Sequence, residues 1–168
     1  MEKRRSELMP LVLRSAEISD AELLYEWRND AETRRMSYSS NPVSWNEHTD
    51  WLRRVLADPS EVLQIAHLDG WPVGVLRFTF RSDGVHVSIT VAPSARGRGF
   101  GRKLLGLGID QFNSAYPART YRARVKPENA ASLSIFEACG FEIDFKSEEV
   151  IELSRSSGAG PIARDGHM

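Results

Sequence analysis

The residues best suited to chemistry lie between Val85 and Leu105. An alternating strand, Val85-His-Val-Ser-Ile-Thr-Val91, passes through Ala92-Pro93 into a turn that holds Gly97, Gly99 and Gly101 among Arg96, Arg98, Arg102 and Lys103. Glycines let a backbone curl tightly and approach a ligand closely. The turn opens a helix at Gly99 and Phe100, so N–H groups at the helix start, reinforced by the helix dipole, face whatever anion is presented. The arrangement is that of a pyrophosphate cradle.

Two familiar cradles do not fit. A nucleotide-hydrolase phosphate loop needs Gly-Lys-Ser/Thr, which is absent from the chain. The dinucleotide fingerprint G-x-G-x-x-G, counted from Gly97, meets Arg102 where its third glycine belongs, and the elements upstream read as hairpins, not as a βαβ unit.

The elements that must position this turn are legible. Leu11–Arg14 reads as a first strand, and Ser19-Asp-Ala-Glu22 as a capping box that opens a helix with Leu23, Leu24, Trp27 and Ala31 at helical spacing. Ser44-Trp-Asn-Glu47 is a second capping box, whose helix carries Trp51, Leu52, Val55 and Leu56 and stops near Pro59. Strands over 62–68 and 73–80 flank the turn signal Asp69-Gly70, and Asp83-Gly84 leads into 85–91. The helix after Gly99 carries Leu104, Leu105, Leu107, Gly108, Ile109 and Phe112. Beyond it come a strand over 120–126, a helix over 129–139 and one or two closing strands over 141–153. Residues 1–155 read as a single domain and 156–168 as a flexible tail.

Composition narrows the function. A chain of 168 residues suits one domain with a real core. A net charge of −1 argues against nucleic acid or an anionic membrane as partner, since both need an extended basic face. Cys139 is the only cysteine, so no intramolecular disulfide or cysteine-based zinc site is available, and its place in a packing helix suits a small buried hydrophobe. Leu11-Val12-Leu13 is too short a run for a signal peptide or membrane span, so a cytoplasmic protein that needs no metal is expected.

Arg96-x-x-Gly99-x-Gly101 resembles the acetyl-CoA signature (Gln/Arg-x-x-Gly-x-Gly/Ala) of the GNAT N-acetyltransferase superfamily. The Val-Ala-Pro before it strengthens the resemblance. So does Asn129-Ala-Ala-Ser132-Leu-Ser-Ile-Phe136-Glu-Ala-Cys-Gly140-Phe141, which looks like the superfamily's second coenzyme-contacting block. The resemblance spans about residues 11–153 and implies an α/β (α+β) fold. Its mixed, mostly antiparallel sheet of six to seven strands is flanked by about four helices, and a splayed parallel strand pair binds acetyl-CoA. Main-chain groups of Ile89 and Val91 then serve the pantetheine and acetyl carbonyl, and Arg96, Gly97, Arg98, Gly99, Phe100 and Gly101 meet the pyrophosphate. Asn129, Ser132 and Phe136 line the pantetheine side, although Asn129 is equally a plain helix N-cap.

The pattern departs from the superfamily where many members carry a tyrosine as general acid, because Phe136 has no proton to give. A thiol of pKa about 8.5 is a tolerable leaving group without one. For the base, His86 shares a strand face with Ser88 and Thr90 and stands where many relatives carry a relaying glutamate. It is equally a half-buried histidine bonded to a neighbouring strand, and Glu26 is the runner-up.

The acceptor side falls to the N-terminal third. Trp27-Arg28-Asn29-Asp30, then Arg34-Arg35, then Ser44-Trp45-x-x-His48-x-x-Trp51 resembles acetyltransferases of UDP-linked amino sugars on the way to pseudaminic acid. Trp27, Arg28, Asn29, Arg34 and His48 are the candidate acceptor residues. The arginines suit a diphosphate and the rings a uracil or sugar face, while Trp27 and Trp51 also sit on the apolar stripes of their helices. Three classes stay open: an amino-sugar acetyltransferase, a protein N-terminal acetyltransferase of the ribosomal-protein type, and a non-catalytic coenzyme-A-binding module. Both monomer and homodimer are compatible with the chain.

Overall fold

The computed structural model describes residues 10–116 and 119–158. Strand β1 (Leu11–Ser15) leads through a short 3-10 turn into helices α1 (Ala21–Asn29), α2 (Ala31–Met36) and α3 (Trp45–Ala57). The strands β2 (Glu61–Leu68), β3 (Trp71–Arg81) and β4 (Gly84–Val91) follow as a meander. After a second 3-10 turn come α4 (Phe100–Ala115), β5 (Thr120–Val125), α5 (Ala130–Ala138), β6 (Glu142–Lys146) and β7 (Ile151–Ser156). The seven strands form one sheet in the order β1-β2-β3-β4-β5-β7-β6.

Every pairing is antiparallel except β4 with β5, and that pairing sets up the site. It holds at Val85 with Tyr121 and His86 with Arg122, and at no later position. β4 runs on to Val91 and β5 to Val125, so the two strands part like a fork and leave the β5-facing backbone edge of β4 unpaired. Unpaired strand backbone must find another partner or water.

The turn chemistry behaves as the sequence implies. Asp69 and Gly70 both take positive φ, 54° and 78°, the two-residue hairpin geometry that matches strand twist. Ser44 Oγ accepts from Glu47 N at 3.2 Å while Glu47 returns the bond to Ser44 N at 2.9 Å, a full capping box on α3. The first box forms elsewhere than at Ser19 and Glu22. Its members are Glu17 and Asp20, because Asp20 also receives Arg14 through two bonds of 2.8 and 2.6 Å, a stronger partner than Ser19 offers. The α1 helix starts only at Ala21.

Helix α2 is an addition to the expected order, so the described residues hold five α-helices beside their seven strands. Six residues with none buried give no apolar stripe to read. Asp30 makes it a helix, accepting from Thr33 N at 3.0 Å as N-cap. At the other end of the chain, Ser156 closes β7 opposite Thr120; residues 159–168 of the expected tail lie outside the described residues.

The core takes in Leu24 and Trp27 of α1 and Leu52 and Val55 of α3, and much of it lies against α4. Leu104, Leu105 and Ile109 are fully buried, and Phe112 stacks on Phe78 with ring centroids 4.4 Å apart. Gly108 lets α4 pass over Leu76, where a Cβ would collide with the leucine side chain.

Candidate active site

A cavity of about 710 Å3 occupies the fork between β4 and β5. One wall is the edge of β4 from Val87 to Val91; another is the start of α4; the remaining sides are α5 and the solvent face of α2. Gly99 stands in the left-handed region at φ 75° and no side chain caps α4. The N-terminus of a 16-residue helix therefore opens onto the cavity with no acidic residue in its first turn. A Cβ on Gly97 or Gly99 would meet no atom within 4 Å, so the space before these two residues is open. Gly101 differs: a Cβ there would collide with Ile135 of α5, so this glycine closes the packing of two helices.

Of the residues expected to hold the donor, Ile89, Val91, Arg96, Gly97, Gly99, Phe100, Gly101, Asn129, Ser132 and Phe136 line this cavity. Arg98 does not. Asn129 caps α5 by accepting from Ser132 N at 3.1 Å, so capping and cavity lining coexist in one residue. Phe136 is buried and packs edge-on against Phe141. Arg96 lines the cavity, and its guanidinium reaches across to Asp30 Oδ2 at 2.6 Å and Thr33 Oγ1 at 2.9 Å. That contact ties the glycine turn to α2, and it holds the Asp30 carboxyl below its ordinary range.

A second cavity of about 420 Å3 lies between α1, α3 and the open face of β2, β3 and β4. Its wall includes Trp27, Arg28, His48, Trp51, Leu63, Val75 and Arg77. Thr33, Ser37, Ser88 and Thr90 line both cavities and form the passage between them. His48 is 2% exposed and bonds through Nε2 to the Ala21 carbonyl at 2.8 Å. Burial pushes its pKa down despite that bond, which makes it a neutral imidazole pinning α3 to α1. Trp27 is buried in the core.

Arg28 donates to the Ser39 carbonyl at 2.9 Å and meets no carboxylate among the described residues. Its Nη1 and Arg34 Nε are buried without a hydrogen-bond partner. Burial first, and then the charge of Arg34, lowers the Arg28 pKa, so the pair holds positive charge at a cost. Among the described residues no aspartate or glutamate lines the second cavity.

The acetyltransferase (GNAT) domain family matches this chain over residues 10–142. The chain belongs to the GNAT acetyltransferase family. An uncharacterised N-acetyltransferase of Bacillus subtilis, YfmK, is 24% identical over 127 residues, 74% of this chain and 80% of the relative. The fold matches spermidine N-acetyltransferase from Vibrio cholerae in complex with CoA and spermine at TM-score 0.77 and 18% identity, covering 88% of this chain and 95% of that one. An aminoglycoside acetyltransferase in complex with coenzyme A matches at TM-score 0.73 and 22% identity, with coverages of 88% and 95%.

The other residues singled out in the sequence fall outside the acetyltransferase's two cavities. His86 turns its Nε2 back to Asp83 Oδ1 at 2.8 Å, two residues (about 7 Å) short of Ser88. The bond ties β4 to the turn before it, and His86 lines neither cavity. Glu26 is exposed on α1 and also lines neither. Asn29 brackets Val43, donating to its carbonyl at 2.9 Å and accepting from its N–H at 2.8 Å, and so fixes the loop into α3. Arg34 lines neither cavity, and its charge acts on Arg28. Thr33, Ser37 and Arg77 are cavity residues that sequence reasoning missed. Thr33 had a signal in its spacing from Asp30, while Arg77 had none local to it. Among the described residues no group of three or more His, Cys, Asp or Glu could hold a metal ion, and no helix is long and apolar enough to cross a membrane.

Chemically, a thioester laid along the fork would present its carbonyl to the unpaired edge of β4, and an amine entering by the second cavity would meet it at Ser88 and Thr90. The four residues of the passage are all hydroxyl-bearing. They can carry a chain of hydrogen bonds to water, and none titrates near neutrality.

Proposed function

We propose that this acetyltransferase moves the acetyl group of acetyl-CoA onto the primary amine of a small, negatively charged acceptor, a nucleotide-linked amino sugar. The donor would lie in the fork with its pyrophosphate on the α4 N-terminus, and the residues around Gly97 and Gly99 fit this because open space lies before their backbone. The amine nitrogen attacks the acetyl carbon, the C–S bond breaks, and the thiolate of coenzyme A leaves. The amine's proton passes to water along the hydroxyls of the passage. Backbone N–H groups on the unpaired edge of β4 support the developing oxyanion.

One observation carries the acceptor reading: the cavity that meets the donor fork at Ser88 and Thr90 is lined by two arginines and aromatic rings and by no carboxylate. A polycation such as spermidine gains nothing from such a wall, whereas a diphosphate does. Release of coenzyme A thiol should be measured with UDP-amino sugars, peptides beginning with Ser or Ala, spermidine and an aminoglycoside. Turnover is expected for the UDP-amino sugar. Efficient acetylation of peptides or polyamines with none of the sugar nucleotide would overturn the acceptor and leave the donor half standing.

A further inference from the structure

We infer that Arg77 forms, with Arg28, an oxyanion subsite in the acceptor cavity, and that Glu61 is the positioning residue that sets the Arg77 fork. The inference rests on the acceptor cavity described above and names the groups that would read its substrate.

Arg77 sits on β3 directly opposite Ser88 of β4, so it flanks the passage where amine and thioester would meet. Its guanidinium is held on two sides. Nε and Nη2 donate to the two oxygens of Glu61 at 2.8 and 2.7 Å, and the Trp51 ring lies under the charge with its centroid 5.5 Å from Cζ. Glu61 is in turn fixed by Thr79 Oγ1 at 2.8 Å. Arg77 Nη1 makes no hydrogen bond among the described residues, and the side chain keeps 34% of its surface exposed in the cavity wall. A guanidinium whose orientation is already fixed loses little freedom on binding an oxyanion. Arg28 supplies the second charge from the helix layer, where no carboxylate offsets it. A phosphate or a carboxylate on the acceptor would each satisfy the pair.

The decisive measurement is calorimetric binding of inorganic pyrophosphate and of malonate to the full chain saturated with coenzyme A, which keeps both probes off the α4 cradle. At least one dianion should bind wild type. Removing Arg77 alone leaves the Glu61 carboxylate, 9% exposed, without its cation and with only the Thr79 hydroxyl as partner, so the informative variant is Arg77→Gln/Glu61→Gln, in which the pair is neutral. Its dianion affinity should fall by roughly 10- to 150-fold, with coenzyme A affinity and melting temperature near wild type. Glu61→Gln alone, which frees the fork, should weaken the dianion less than Arg77 loss does and should spare coenzyme A. Binding of pyrophosphate assigns the subsite to phosphate; binding of malonate alone assigns it to carboxylate and counts against the nucleotide-linked acceptor. If neither dianion binds, or if binding is equal in the double variant, the subsite is refuted. A chain that binds pyrophosphate through Arg77 yet acetylates only peptides would sink the proposed acceptor and leave the subsite in place.

Discussion

At the scale of single residues, His86 shows how a correct strand face still leaves a side chain's direction open. His86, Ser88 and Thr90 do alternate onto one face of β4, yet only the last two reach the passage, because Asp83 at 2.8 Å holds the imidazole toward the turn. Replacing His86 by Ala should therefore leave the pH–rate profile overlaid on wild type, without the roughly 100- to 10,000-fold loss that follows removal of a general base. Steady-state rates across pH 6–9 check this, and a lost limb near neutrality would restore His86 as the base. The glycine turn that opens onto the fork cavity was readable because glycine spacing is a local signal. Arg77 was not, since its fork exists only through Glu61 on the neighbouring strand and Trp51 on α3.

At the scale of elements, the two signature glycines answer to different constraints, and they separate ligand binding from folding. Gly99 has positive φ and open space before it, so Gly99→Asp costs backbone strain of about 1–2 kcal/mol and places a carboxylate where an anion would sit. The variant should fold with a modestly lowered melting temperature and should show no stabilisation by acetyl-CoA. Gly101→Glu should do more damage, because its side chain runs into Ile135 and drives α4 off α5. Thermal melts with and without acetyl-CoA distinguish the two; an undiminished acetyl-CoA shift in Gly99→Asp would remove the cradle from the α4 N-terminus. Elements with strong local signals, the α3 capping box and the Asp69-Gly70 hairpin, were legible in the sequence. The α2 helix was not, because it buries nothing and is held by Asp30, Arg96 and a Lys126 bond to the Arg35 carbonyl at 3.1 Å.

At the scale of the whole molecule, the groups whose titration folding perturbs are unevenly placed along the chain. The side chains whose pKa is held below its ordinary value, among them Asp20, Asp30, His48 and Glu61, all occur at or before Asp83. The Arg14 bond keeps Asp20 low against burial. In Glu61, burial pushes upward but the bonds from Arg77 and Thr79 outweigh it. In the C-terminal half burial holds groups neutral instead: the Tyr121 hydroxyl is pushed up to about 12 and the Cys139 thiol up to about 11. A group with a depressed folded pKa contributes stability above its unfolded pKa and loses it as pH falls through the folded value. For His48 the loss begins below about pH 6.5, and for Asp20 and Glu61 below about pH 4. The acceptor side should therefore loosen before the donor side on acidification. Hydrogen exchange near pH 4 should show amides of β1, α1 and α3 opening while α4 and β5 stay protected. Asp20→Asn and Glu61→Gln should flatten the decline of melting temperature with falling pH, at the cost of lower stability at pH 7. Simultaneous opening of α4 with α1 would mean that the core, and not these ties, sets the acid limit.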